Sequence, residues 1–585
     1  MRPGDANAWL DASELRIGLG CMRLSTDEDR DEERAFETIA AAAAAGMTVF
    51  DTARAYGRGE SELGHNERLL VRALQLCGAE GSARIVTKGG MTRIGGGWIP
   101  DGRARSIRSD CEASLADLDG LAIDLYLVHA PDPRTPWKTS VRALARLVDQ
   151  GLVRRVGLAN VNRRQLDEAL ELAPVSAVQV PLSPFDDGAF RGGVVERCEE
   201  KGLTVIAHSP LGGPRRAGRL TRRPELVAVG DALDATSAEV ALAWLLDLSP
   251  VVVAIPGARR PETARSAARA ATLALDAGNR EALARSLGWR RAARLEQSAL
   301  RDDADVVLIM GIPGAGKSRV AEEYVARGYR RLNRDERAGS LRELADALDE
   351  ELAAGVRRVV LDNTYLTRAA RSYVVEAADR HGAAARCIWL DTPLAQAQVN
   401  LVERLLERFG SLPTPEELRV PARQPGVLAP TSQMRTQREL EPPSIDEGWA
   451  EVEQLAFERM PPQGRTRAGV FVAAAALRAP GWKRAVARGD RDAPHLVFDW
   501  DPDVSIDALA PEVDALRTAV SAPVEGALCP HAGGPPSCWC RPPLPGLPLT
   551  FARAHGIDPA RSFLVGVSPA HRTLATTIGA RYIPV

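Results

Sequence analysis

The chain is predicted to be a multidomain α/β protein: a (β/α)8 barrel, then a parallel P-loop α/β domain, then a small zinc-stapled C-terminal module. Three observations predict this. Eight short apolar runs alternate with amphipathic segments over residues 1–275, the count and size of a barrel. Gly311-Ile312-Pro313-Gly314-Ala315-Gly316-Lys317-Ser318 follows the apolar run 306–310 and leads into a helical pattern. That is G-x-x-x-x-G-K-S in the strand–loop–helix context of a phosphate-binding loop. Cys529, His531, Cys538 and Cys540 crowd together in a Pro/Gly-rich stretch, two tight pairs that suit tetrahedral Zn²⁺.

Composition narrows the function classes. With 45 % hydrophobic and 26 % charged residues, the 585-residue chain has an ordinary globular balance. A net charge of −2 exerts no general pull on nucleic acid or an anionic membrane. No stretch reaches 18 consecutive strongly apolar residues, and the first residues lack a signal-peptide core. A cytoplasmic protein without a membrane partner is expected.

The barrel runs lie near 17–22, 47–51, 84–87, 122–128, 153–158, 176–182, 203–207 and 251–255, with helical patterns between them such as 33–45. A glycine fingerprint after the first run, which a doubly wound fold would carry, is absent. Barrel chemistry sits where strands end. The second run ends at Asp51, with Tyr56 shortly after; the third ends in Lys88 and the fourth in His129. The fifth leads to Asn160, the sixth to Gln179, and the seventh to His208-Ser209-Pro210-Leu211. Gly257, Arg259 and Arg260 follow the eighth. An Asp, a Tyr, a Lys and a His from three consecutive strand ends form a constellation.

With these motifs at every strand end, residues 15–270 resemble an aldo/keto reductase. The resemblance implies that Asp51, Tyr56, Lys88 and His129 are a catalytic tetrad acting on a small-molecule carbonyl. A phenol with a pKa near 10 is a poor acid at neutral pH, and a Lys88 ammonium held by Asp51 is expected to lower it. Tyr56 would then donate a proton in reduction and accept one in oxidation, with His129 orienting the carbonyl oxygen. The resemblance also implies nicotinamide contacts from Asn160 and Gln179, pyrophosphate contacts from Ser209, Pro210 and Leu211, and adenosine contacts from the segment with Gly257 and Arg259. Arg259 and Arg260 would pair with a 2′-phosphate, favouring NADPH. Ala159 departs from the usual serine, and His208 stands where an aromatic commonly stacks on the nicotinamide. Altered cofactor affinity is expected from both.

Residues 276–303 are arginine-rich (Arg280, Arg285, Arg290, Arg291, Arg294) and read as a helical connector without a strong apolar face. In the phosphate loop, Gly311, Gly314 and Gly316 let backbone N–H groups close around phosphates at a helix N-terminus. Lys317 reaches the β/γ-phosphates and Ser318 ligates Mg²⁺, so ATP with Mg²⁺ is the expected ligand. Strand–helix alternation continues through Asp362-Asn363-Thr364 and Asp391-Thr392-Pro393, implying a parallel sheet over 304–460 with nucleotide at its C-terminal edge. The loop, Asn333-Arg334-Asp335, Asp362-Asn363-Thr364, the helix with Asn400 and Arg404, and Glu447-Gly448-Trp449 resemble the polynucleotide 5′-kinase and related small P-loop kinases. By that resemblance Asp335 is the general base and Arg404 reaches the transferring phosphoryl group. Arg327, Arg330, Arg331, Arg334 and Arg337 offer either a basic groove for a polynucleotide acceptor or a solvated face. Ala338 stands where an arginine is expected. A small-metabolite hydroxyl is therefore an alternative acceptor, and an NADPH-binding sensor barrel that regulates an ATPase is the alternative function.

The segment 461–585 opens on Pro461-Pro462-Gln463-Gly464. Cys529, His531, Cys538 and Cys540 supply four ligands and leave no open position, so the zinc is expected to be structural. Residues 529–585, with Phe563-Leu564-Val565-Gly566, resemble the zinc loop of haloacid-dehalogenase-type phosphatases of the histidinol-phosphatase group. Pro542 replaces an expected lysine, and Val567 and His571 replace acids. Asp499-Trp500-Asp501 mimics a nucleophile motif but stands too close to Cys529 to open a full domain. A degenerate module without phosphatase activity is expected.

Overall fold

In the computed structural model, residues 9–11, 13–287, 304–337, 339–419, 426–459 and 464–585 are described. They fall into two compact units, Met1–Ala293 and Arg294–Val585.

In the first unit the apolar runs become β1 (Leu19–Gly20), β2 (Val49–Asp51), β3 (Arg84–Gly89), β4 (Ile123–Val128), β5 (Val156–Ala159), β6 (Val175–Pro181), β7 (Thr204–His208) and β8 (Val252–Ile255). Neighbours pair in chain order and in parallel. The ring closes where Ile17 bridges Ala254 and the Gly18 N–H donates to the Ala254 carbonyl at 2.9 Å. Strands buried on both faces read as continuous apolar runs. Val49, Val86, Leu125, Leu127, Ala159, Ala177, Ile206 and Ile255 fill the interior, and the opposite faces pack against the helices. Gly157 is fixed by close approach, since a Cβ there would stand 2.5 Å from the Ala177 carbonyl oxygen.

Two elements were not legible in the apolar runs. A hairpin, Met91–Ile94 with Gly97–Pro100, follows β3 and sets Arg93 opposite Trp98. The helix Ala277–Leu287 lies in the expected connector but does have an apolar face. Leu283 and Leu287 enter the barrel core, Ser286 Oγ donates to Glu225 at 2.6 Å, and Arg280 pairs with Asp247. Residues 288–303, including Arg290, Arg291 and Arg294, lie outside the described residues, as do Ala338 and Pro461–Gln463.

The second unit holds two parallel sheets. The first is built from β9 (Asp305–Met310), β10 (Arg330–Leu332), β11 (Arg358–Asp362), β12 (Ala384–Asp391) and β13 (Glu451–Ala456), in the order β10-β11-β9-β12-β13. The phosphate loop leaves the central strand. The second contains β14 (Val470–Ala473), β15 (His495–Trp500), β16 (Val524–Cys529), β17 (Phe563–Gly566) and β18 (Arg581–Pro584), in the order β16-β15-β14-β17-β18. The C-terminal segment is thus larger than the small module expected. Val470-Phe471-Val472-Ala473 runs straight into alanines and reads equally as buried helix, so periodicity alone conceals the central strand. Asp499 is the penultimate residue of β15, a neighbour, whereas the central β14 runs into Ala474-Ala475-Ala476. The two sheets share core: Val399, Leu401, Val402, Leu405 and Leu406, from the helix Leu394–Phe409, join the cluster of the second sheet. Among the described residues no helix is long and apolar enough to cross a membrane.

Candidate functional site

Asp51 ends β2, Lys88 lies near the end of β3, and His129 follows β4, so three adjacent strands deliver these side chains to one mouth of the barrel. Lys88 is fully buried. Its Nζ donates to both Asp51 carboxylate oxygens at 2.8 Å, to the Thr52 carbonyl at 2.7 Å, and to Tyr56 Oη at 3.1 Å. Burial opposes the ammonium, but Asp51 and Tyr56 outweigh it and raise the Lys88 pKa. Burial pushes the Tyr56 phenol up to about 12, against the pull of Lys88. The expected net lowering is therefore not what this site produces. The phenol stays protonated at neutral pH, and Lys88 is placed to stabilise the phenolate that proton donation leaves behind. Burial, with Lys88 and His208 adding to it, holds His129 well below its ordinary pKa. Its neutral ring lies 5.6 Å from the Tyr56 ring, centre to centre.

The nicotinamide candidates are drawn into the same network. Gln179 Nε2 donates to Asp51 Oδ2 at 2.7 Å. Asn160 adopts a positive φ of 58° and its Nδ2 donates to the His129 carbonyl at 2.9 Å. His208 Nε2 lies 3.1 Å from Asn160 Oδ1, and burial pushes His208 down to about 4. The neutral ring therefore donates to Asn160. Ser209, Pro210 and Leu211 form a turn closed by the Gly212 N–H on the Ser209 carbonyl at 2.8 Å. Gly257 follows β8. Arg259 is gripped by Asp27 at 3.1 Å and Asp29 at 2.8 Å. Arg260 is exposed and has no ion pair among the described residues.

In the phosphate loop, side chains take the backbone carbonyls. Asn400 Nδ2 donates to the Gly314 carbonyl at 2.8 Å, Gln433 Nε2 to Pro313 at 2.8 Å, and Thr392 Oγ1 to Ala315 at 3.1 Å. The Gly311 and Ala315 N–H groups donate to the Thr364 and Ile312 carbonyls, and the amides of Gly314, Gly316, Lys317 and Ser318 are left for an anion. A Cβ on Gly314 would lie 2.2 Å from the Ala397 carbonyl oxygen. Gly311 and Gly316 also have positive φ. Lys317 Nζ donates to the Gly311 and Ile312 carbonyls at 2.9 and 3.0 Å, and burial lowers its pKa to about 8. Ser318 Oγ lies 3.4 Å from Asp362 Oδ2. Asp335, its N–H donated to Asn333 Oδ1 at 2.6 Å, and Arg404, which donates to the Gly426 carbonyl at 3.2 Å, line one cleft of about 1930 Å³ with the loop.

Three of the five arginines of the cluster are paired with carboxylates. Arg331 grips Asp362 through two hydrogen bonds at 2.8 and 2.7 Å. Arg330 and Arg337 both pair with Glu351, and Arg327 stacks 3.9 Å over the Tyr324 ring. Arg327 and Arg334 have no ion pair among the described residues. Glu351 and Asp362 lie 14 or more positions from the arginines they pair with, so local sequence does not reveal the pairing.

The ligand atoms of Cys529, His531, Cys538 and Cys540 all lie within 4.8 Å of one another. Cys529 Sγ is 3.6 Å from Cys538 Sγ and 3.3 Å from Cys540 Sγ, and His531 Nδ1 is 3.1 Å from Cys540 Sγ. With Zn–S bonds of about 2.3 Å, tetrahedral ligands stand about 3.8 Å apart, so three sulfurs and an imidazole fit this ion. Between two of them, Trp539 is buried and its indole donates to the Leu428 carbonyl at 2.8 Å. At the end of β17 the Val567 N–H donates to His571 Nδ1 at 3.3 Å.

Residues 16–285 match the model of the aldo/keto reductase family, and residues 306–419 match that of an AAA domain. An uncharacterised oxidoreductase of Schizosaccharomyces pombe is 32 % identical over 266 residues, which cover 44 % of this chain and 82 % of that protein. An aldo-keto reductase of Strobilurus tenacellus is 30 % identical over 283 residues, covering 42 % and 81 %. An aldo/keto reductase from Klebsiella pneumoniae, solved with NADP and acetate, is 26 % identical, with 46 % of this chain and 90 % of that one covered at a TM-score of 0.40. Through its barrel, the chain belongs to the aldo/keto reductase family.

Proposed function

We propose that the barrel reduces a small aldehyde or ketone with NADPH. The observation that carries this reading is Lys88 Nζ joined at once to Asp51 and to Tyr56 Oη. Bound NADPH supplies the hydride. Tyr56 donates its phenolic proton to the carbonyl oxygen as negative charge develops there, and Lys88 holds the resulting phenolate. His129, neutral and beside Tyr56, orients that oxygen. Asn160, Gln179 and the turn Ser209–Leu211 would hold the cofactor. Arg260 is the better candidate for the 2′-phosphate, because Arg259 is occupied by two aspartates. Arg260→Ala is expected to weaken NADPH about tenfold and NADH little, measured by fluorescence titration. Equal losses would remove the 2′-phosphate contact. NADPH oxidation with simple aldehydes tests the reductase itself; tight NADPH binding without turnover would favour a sensor.

The P-loop domain is read as an ATP-dependent kinase. Gly311, Gly314, Gly316 and Lys317 would bind the phosphates, Ser318 the Mg²⁺, and Arg404 the transferring group. Asp335 would accept the proton of the attacking hydroxyl. The paired arginines favour a small hydroxyl compound over a polynucleotide 5′-hydroxyl. Labelled ATP offered to 5′-hydroxyl oligonucleotides and to a panel of polyols decides between them: labelled oligonucleotide would reverse the preference. Cys529, His531, Cys538 and Cys540 would bind one structural Zn²⁺, which pins the loop carrying Trp539. No phosphatase activity is expected from the last sheet, whose central strand runs into alanines.

A further inference from the structure

The hairpin beside the reductase site holds a cation with no carboxylate partner among the described residues. Arg93 is only 7 % exposed. Its Nε and Nη1 are buried without a hydrogen-bond partner, and Nη2 reaches only the Arg58 carbonyl, at 3.4 Å. Burial depresses its pKa, and no carboxylate acts against that. Arg30 pairs with Glu62, Arg54 with Asp110 and Asp117, and Arg84 with Glu14, while Arg16, without a carboxylate partner among the described residues, donates to the Leu246, Ser249 and Val252 carbonyls. Buried donors are almost always satisfied, and a buried unpaired charge is strongly unfavourable. Such a cost persists where a ligand relieves it.

The position says which ligand. The guanidinium lies 3.9 Å from the centre of the Trp98 ring, and Trp98 stands edge-on to both Tyr56 and His129 at 6.0 Å. Arg58, whose carbonyl holds Nη2, is two residues from Tyr56. The candidates for the cofactor's phosphates, Ser209–Leu211 and the segment from Gly257 to Arg260, follow β7 and β8, across the barrel from β3, so those phosphates are not the anion that Arg93 awaits. The geometry points to a carbonyl substrate that itself carries an anionic group, a carboxylate or phosphate, held by Arg93 on the Trp98 platform while its carbonyl faces Tyr56 and His129. This rests on the reductase reading, whose substrate it specifies.

Matched pairs test it in the full-length protein: 4-carboxybenzaldehyde against benzaldehyde, and glyceraldehyde 3-phosphate against glyceraldehyde. The first pair reports a carboxylate, the second a phosphate. NADPH oxidation should favour the charged member of at least one pair by about tenfold or more in kcat/KM, mainly through KM. Arg93→Met should erase that preference, and Arg93→Lys should restore part of it. A wild-type enzyme that treats both pairs alike, or a preference unchanged in Arg93→Met, overturns the anion site and leaves the reductase reading standing. If no aldehyde turns over, the reductase reading fails. The anion site is then decided by Tm: benzoate or inorganic phosphate must raise it in the wild type, less in Arg93→Lys and not in Arg93→Met, and an equal response in all three overturns the site.

Discussion

The barrel site is made of side chains, and the phosphate loop is made of backbone. In the barrel, the Lys88 ammonium joins Asp51 and Tyr56 in one buried cluster. In the loop, Asn400, Gln433 and Thr392 hold the carbonyls from outside, and the amides that would meet phosphate belong to no particular side chain. The difference teaches where each site is fragile. Deleting one barrel side chain should damage stability and chemistry together. Deleting one loop side chain should damage binding and spare the fold.

The largest expected effect follows in the barrel. Lys88→Met leaves Asp51 buried without its cation, which costs about 3–5 kcal/mol when a buried pair is broken from one side. Reduction should cease as well. Denaturant unfolding of the barrel transition checks the first effect, and Asp51→Asn added to Lys88→Met should recover part of the stability. A single variant as stable as wild type would separate the two roles and break the contrast.

A smaller effect is expected in the second unit. Cys538→Ser should lose the metal, read as zinc content, and free Trp539 from the Leu428 carbonyl. Leu428 is two residues from Gly426, whose carbonyl holds Arg404. Phosphoryl transfer should fall about tenfold, the loss expected when one positioned hydrogen bond to a charged group is removed, while NADPH oxidation stays near wild type. Loss of both activities alike would mean that the metal supports more than the P-loop cleft.

The smallest effect is a pH dependence confined to the loop. Burial holds Lys317 near 8, and a triphosphate beside it would raise that value. Binding therefore takes up a proton above pH 8, and ATP affinity should weaken by up to about tenfold from pH 8 to pH 9. Titrations at pH 7, 8 and 9 measure it; an affinity flat over this range would mean that Lys317 does not meet phosphate.

Much of this architecture was legible in the residues, for physical reasons that differ by region. Strand ends of a barrel are where apolar runs stop, so Asp51, Lys88 and His129 could be read in line. The phosphate loop is contiguous and needs no fold to be recognised. What escaped depended on burial or on distant partners. The rise of the Tyr56 pKa comes from desolvation, which composition does not report. Glu351 and Asp362 neutralise arginines that precede them by more than a dozen positions. Gly95-Gly96-Gly97 interrupts the periodicity around Arg93 and Trp98. The central strand 470–473 merges into alanines that suit a helix equally well.

The central claim, that Tyr56 is the acid that protonates a carbonyl, is tested most directly by Tyr56→Phe. The change removes one hydroxyl from the Lys88 network and leaves the ring beside His129. NADPH oxidation with an accepted aldehyde should fall by about 10²–10⁴-fold, while the NADPH dissociation constant, read by fluorescence, stays within about twofold of wild type, as for a lost group that acts only in the transition state. A variant that keeps most of its turnover would contradict the account.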